Sequence, residues 1–154
     1  MDIAYLADRR DVIPTLAQWF YQEWAYLHPD RTLEDVERLI GERTNITKIP
    51  VALVAFEGDE LLGTVCLKVH DMDTRLDLTP WLAGLYVAVA WRRKGIGTAL
   101  VSAIEKKARE LQVEKLYLYT PESEGFYSRL EWHLNERTAY HGYPVTIMDK
   151  KIVL

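Results

Sequence analysis

Arg92-Arg93-Lys94-Gly95-Ile96-Gly97-Thr98 gathers three cations around two glycines, and that combination is suited to holding an anion. The segment follows the unbroken apolar run Leu85 to Trp91, read as a strand. It precedes Ile96, Leu100, Val101, Ile104, Ala108 and Leu111, which recur at helical spacing opposite a charged face. A strand, a basic glycine turn and an amphipathic helix expose the first backbone N–H groups of the helix, which lack partners in their own helix and sit at the positive end of its dipole. Gly95 and Gly97 let a bulky phosphate approach the main chain, where a side chain would stand in the way. The spacing excludes a P-loop, because Lys94 precedes Gly95 instead of following the last glycine. A dinucleotide fingerprint needs a third glycine where Leu100 stands.

Two other stretches carry reactive side chains. The polar segment His70 to Pro80 holds Asp71, Asp73, Arg75 and Asp77. Its acids suit a cationic amine, and Arg75 suits a carboxylate gripped through two parallel hydrogen bonds. No metal is expected, because His28, His133 and His141 show no ligand spacing with His70, Asp71 and Asp73. The segment Glu122 to Leu130 reads as a short helix bearing Phe126 and Tyr127.

The elements that must position these groups follow from periodicity. Ile3, Tyr5 and Leu6 predict a short first strand, and Asp11 is placed as the cap of a helix with Pro14 in its first turn. Leu16, Trp19, Phe20 and Trp24 form the stripe of that helix, while Tyr21, Trp24, Tyr26 and His28 are too many large rings for one buried face, so some of them, Trp24 included, line a cleft. Thr32 and Asp35 start a second helix that ends before Pro50. Val51 to Phe56 and Leu61 to Leu67 predict a hairpin around Gly58. Lys115 to Thr120 is a strand stopped by Pro121, and the tail turns near His141-Gly142 into a last strand, Val145 to Val153. The order is β-α-α-β-β-β-α-β-α-β-β, a mixed sheet with helices on its faces.

Composition bounds the function. The 154 residues are one domain's length, 1–154, and the net charge of −4 argues against nucleic acid as the main partner. The N-terminus has no signal-peptide pattern and no run reaches membrane-spanning length. The single cysteine, Cys66, lies within an apolar run and is read as a core residue of a cytoplasmic protein. Aromatics near Trp24 and Trp132 fit either a monomer or a homodimer patch.

With the element order in place, Arg92-x-x-Gly95-x-Gly97 after an apolar strand resembles the coenzyme A pyrophosphate loop of the GCN5-related N-acetyltransferase (GNAT) family. Phe126-Tyr127 on a short helix after the next strand resembles that family's aromatic-tyrosine signature. The likeness covers nearly the whole chain, although only these two segments carry family-specific residues. It implies an α/β (α+β mixed) fold with a mostly antiparallel sheet of six or seven strands, splayed central strands and about four helices. It implies acetyl-CoA as cosubstrate and an amine as acceptor, joined by direct attack in a ternary complex. By the resemblance, Leu85, Tyr86, Val87 and Val89 meet the pantetheine arm. Arg92, Arg93, Lys94, Gly95, Ile96, Gly97, Thr98 and Ala99 surround the pyrophosphate, and Tyr127 is the catalytic acid that protonates the departing sulfur. The residues read for the acceptor are Trp24, Asp73 and Arg75.

Two positions depart from the family pattern. Pro121 stands where Asn is usual, and Glu131 stands where a glycine follows the tyrosine, so a tight turn there must form without glycine's freedom. Leu82 to Val89 contains no acid, which leaves Glu57, Asp71, Asp73 and Glu122 unranked as general bases, or a water relay in their place. These departures keep a second reading open, a non-catalytic acyl-CoA-binding or protein-interaction module of the same fold.

Overall fold

Val51 to Phe56 is apolar at every position because it is covered on both sides. In the computed structural model, which describes residues 1–153, Val51, Leu53 and Ala55 face one core and Ala52, Val54 and Phe56 face another. This is β2 (Val51–Glu57), which follows β1 (Asp2–Tyr5), α1 (Ile13–Trp24) and α2 (Leu33–Gly41) in the chain. It continues with β3 (Glu60–Lys68), β4 (Trp81–Val87), α3 (Ile96–Glu110), β5 (Lys115–Thr120), α4 (Glu124–Arg129), β6 (His133–Tyr140) and β7 (Tyr143–Lys151). All seven strands form one sheet in the order β1-β2-β3-β4-β5-β7-β6, antiparallel except for β4 and β5. α3 packs Leu100 and Ile104, both fully buried, on one face, at about 1.5–3 kcal/mol of transfer free energy each. The helices α1 and α2 cover the other face with Leu16, Phe20 and Ile40.

α2 starts as its sequence requires. Thr32 Oγ1 accepts from Asp35 N at 3.1 Å, and Asp35 Oδ2 accepts from Thr32 N at 2.9 Å. α1 does not start as expected. Asp11 lies in a 3-10 turn, Arg10–Val12, and both its oxygens are taken by Arg9 at 3.1 and 3.0 Å, so Val12 precedes the helix without a side-chain cap. Pro14 does fall in the first turn.

The central strand is also displaced from its expected span. β4 begins at Trp81 and ends at Val87, and Val89–Trp91 is a 3-10 turn in which Val89 is 71% exposed. The apolar run has no period to mark its end. Pairing marks it instead, since Val87 lies opposite Gly63 near the start of β3 and the Ala88 N–H makes the last bond across, to Leu62 O at 2.8 Å.

Between its pairs with Thr64 and Cys66, β4 uses one residue more than β3, running from Tyr86 to Ala83. Gly84 takes that bulge with φ +60, a conformation open to glycine and strained for other residues. β4 and β5 are in register only at Trp81 and Tyr117. Beyond that pair the two strands diverge, leaving facing backbone N–H and C=O groups of Leu82–Val87 and Leu118–Thr120 without a partner strand.

Candidate active site

The seam between β4 and β5 opens into a cleft of about 770 Å³ that runs from the basic glycine turn to the aromatic end of α1. Gly95 begins α3 with φ +84 and no side-chain cap, so the first N–H groups of the helix are offered outward. A Cβ at Gly95 would meet nothing within 4 Å, and one at Gly97 would come 3.4 Å from the Phe126 ring. The turn is therefore a backbone cradle free of side chains, beside the second motif. Arg92 braces it, donating from Nε to Val87 O at 2.9 Å with its guanidinium over the Tyr86 ring. Arg93 is exposed at the cleft, whereas Lys94 lies over Trp91. An anion of pyrophosphate size fits this set of donors and charges.

Of the residues read for the coenzyme, Leu85, Tyr86, Val87, Arg92, Arg93, Gly95, Ile96, Gly97 and Thr98 line the cleft. Val89, Lys94 and Ala99 do not line it. Ile96 carries its side chain into the core, so only its main chain is available.

Tyr127 sits on the six-residue α4, buried edge-on between Phe126 and Trp132 at 5.0 and 6.1 Å between ring centres. Arg43 Nε is the one buried side-chain polar atom without a partner among the described residues. Tyr127 accepts and donates no protein hydrogen bond there, so its hydroxyl opens onto the cleft that it lines. Burial, and secondarily the charge of Asp71, push its pKa well above the ordinary tyrosine value, keeping it a proton donor at neutral pH. Trp132, expected among exposed aromatics, is instead buried under the tyrosine, its indole N–H donating to Glu105 Oε2 at 3.2 Å. Glu105 in turn accepts from Lys150 Nζ at 2.8 Å.

Both departures from the family pattern have local solutions. Thr120 Oγ1 accepts from Ser123 N at 2.9 Å, closing the turn over Pro121 with a hydroxyl where the family uses an amide. A threonine directly before the strand-ending proline was the signal for it. Glu131 adopts φ +69, and Glu131 N and Trp132 N bond back to Ser128 O and Tyr127 O at 3.1 Å each, ending α4 in a left-handed cap. Glu131→Gly is expected to stabilise the fold by about 0.5–1 kcal/mol, raising Tm by about 2–4 °C in a thermal melt. An unchanged or lower Tm would mean that the Glu131 side chain supplies what its backbone costs.

The other end of the cleft is lined by Phe20, Tyr21 and Trp24 of α1 and by Tyr26 and His28 after it, so rings of the surplus read from the sequence do line a cleft. Trp24 packs edge-on against Phe20 at 4.9 Å and Tyr86 at 6.0 Å. Asp73 and Arg75 do not line the cleft. Arg75 grips Asp77 through two bonds of 3.1 Å and also pairs with Glu136, while Asp73 faces His141 Nε2 at 3.3 Å. Met72, directly before Asp73, is fully buried, and the residue on its other side, Asp71, lines the cleft in an ion pair with Lys68 at 3.1 Å. Glu122 is the other carboxylate of the unranked four that lies there, whereas Glu57 pairs with the N-terminal ammonium at 3.3 Å. Burial, with Arg31 adding to it, lowers the His28 pKa to about 4, so this imidazole is neutral at pH 7. Arg31, Arg43 and Lys68 also line this end and were not singled out in the sequence.

A family model described as the acetyltransferase (GNAT) family matches residues 13–132. The fold is similar to that of a crystal structure of aminoglycoside 6'-acetyltransferase type Ii, with a TM-score of 0.77 and 21% identity over 100% of this chain and 99% of the other. An aminoglycoside 6'-N-acetyltransferase complexed with coenzyme A gives a TM-score of 0.76 and 20% identity over 100% and 98%. An aminoglycoside 6'-N-acetyltransferase from Enterococcus faecium gives 0.74 and 19% over 100% and 98%. A sequence search of the curated proteins finds no match.

Proposed function

The chain belongs to the acetyltransferase (GNAT) family, and from that premise we propose that it transfers the acetyl group of acetyl-CoA directly to a primary amine held in the same cleft. The observation that carries this reading is the open seam between β4 and β5, with a backbone anion cradle at one end and the free Tyr127 hydroxyl along it. Acetyl-CoA, when bound, supplies the thioester, and the chain supplies everything else. The N–H groups at the start of α3, with Arg93, hold the pyrophosphate. The main chain of Leu85 and the N–H of Val87 align the pantetheine amides, and backbone donors beside the Gly84 bulge face the acyl oxygen. As the C–N bond forms and the C–S bond breaks, Tyr127 gives its proton to the sulfur. The amine's proton leaves toward Asp71 or Glu122, directly or through water.

This is the work of one domain in a reducing, cytoplasmic setting, consistent with a single buried thiol at Cys66. No helix among the described residues is long and apolar enough to cross a membrane. The test is thiol release from acetyl-CoA by the purified protein against polyamines, aminoglycosides, free amino acids and short peptides. Amine-dependent release with at least one class is the expected result. Coenzyme binding in calorimetry without release for any class would favour a non-catalytic acyl-CoA module.

A further inference from the structure

Arg43 reaches the cleft from the turn after α2, where its backbone is pinned by Arg43 N to Ile40 O at 3.0 Å and by Ala52 N to Arg43 O at 3.2 Å. Its guanidinium lies over the Phe20 ring, 5.5 Å from the centroid, and against the Gly84 bulge, where an added Cβ would come 2.9 Å from Nη1. Among the described residues this guanidinium makes no hydrogen bond and no ion pair, and its Nε is fully buried. The other arginines in that condition, Arg10, Arg31, Arg93 and Arg129, are exposed to solvent. A part-buried guanidinium without an anion is costly unless something outside the chain completes it. The nearby carboxylate, Asp71, is already committed to Lys68. Since only Nε is buried and unpartnered, the two terminal nitrogens remain accessible, beside the bulge that opens the seam.

We propose that Arg43 binds a carboxylate of the acceptor, so that the amine acetylated here belongs to an amino acid or peptide with a free carboxylate and not to a polycation. The inference rests on the acetyltransferase reading and deepens it. Five planar donors, with Nε spent on packing, leave the Nη edge to take both oxygens of a carboxylate. The same charge repels a polyamine or an aminoglycoside at the point where its amine must enter. Arg75, the arginine expected from the sequence to take this role, is occupied by Asp77 and Glu136.

The experiment reads binding as well as turnover. Calorimetry with coenzyme A present would compare N-acetylated amino acids bearing small, aromatic and acidic side chains with their C-terminal amides. At least one free acid is expected to bind about 10- to 100-fold more tightly than its amide, and Arg43→Met to bring that ratio near one. Arg43→Lys, which keeps the charge but not the fork, should restore part of the ratio. Arg43→Met keeps the apolar stem and removes a dry donor, so an undiminished Tm in the variant identifies the loss as one of recognition. If no acid outbinds its amide, or if the ratio survives in Arg43→Met, the proposal is overturned, whether or not the protein releases thiol. Thiol release in the same samples reports on the acetyltransferase reading separately.

Discussion

Tyr127→Phe lowers kcat by about 10²- to 10³-fold while leaving the affinity for coenzyme A within about twofold. The split follows from how the residue is held. Its ring is buried between Phe126 and Trp132, and the phenylalanine ring fills the same space. Its hydroxyl has no protein partner, so removing it orphans nothing, and stability is expected to hold or rise slightly. What disappears is a proton donor that burial keeps protonated. Because the folded-state pKa is raised above the unfolded value near 10, the wild-type rate has no alkaline limb from this group at or below about pH 10. Single-turnover thiol release and calorimetry on both proteins give the two numbers. A variant with unchanged turnover would leave the tyrosine as packing and give the sulfur's proton to water.

The parts of this site that could be read in the sequence are those whose signal is local. α3 was legible because Ile96, Leu100, Val101, Ile104 and Ala108 repeat at helical spacing and all face the core. The Thr32–Asp35 box marked a helix start because both halves of its hydrogen-bond pair lie within one turn. The left-handed turn at Glu131, with φ +69, was expected because the family resemblance puts a glycine at that place after the tyrosine. Where one residue of parity decides the outcome, local reading had no purchase. Asp71 and Asp73 are chemically the same, and the burial of Met72 between them places one in the cleft and the other beside His141. Arg43 sits in an unremarkable polar stretch, Glu42 to Asn45, and acquires meaning only when the fold sets it against Gly84. The same holds for Asp11, whose capping role was lost to a neighbour, Arg9, two residues away.

Gly97→Asp separates the fold from the function because the two should respond with opposite sign. The position lies in the first turn of α3, where a carboxylate is favoured by the helix dipole and where any residue improves on glycine's backbone entropy. The added Cβ meets Phe126 at 3.4 Å, an ordinary contact, so thermal stability is expected to hold or rise by about 0.5–1 kcal/mol. For the coenzyme the same carboxylate is an intruder. It occupies the cradle beside Gly95, competes for the N–H groups of the helix start and sets a negative charge against a pyrophosphate. Losing one or two charge-assisted bonds at about 1.5–3 kcal/mol each weakens coenzyme A binding by about 10²- to 10³-fold. Gly97→Ala adds the contact without the charge and should cost far less, which isolates the electrostatic part. Calorimetric titration with coenzyme A beside a thermal melt reads both quantities. Full affinity retained in Gly97→Asp would mean that the pyrophosphate does not rest on α3, and the path from the glycine turn to Tyr127 would have to be drawn again.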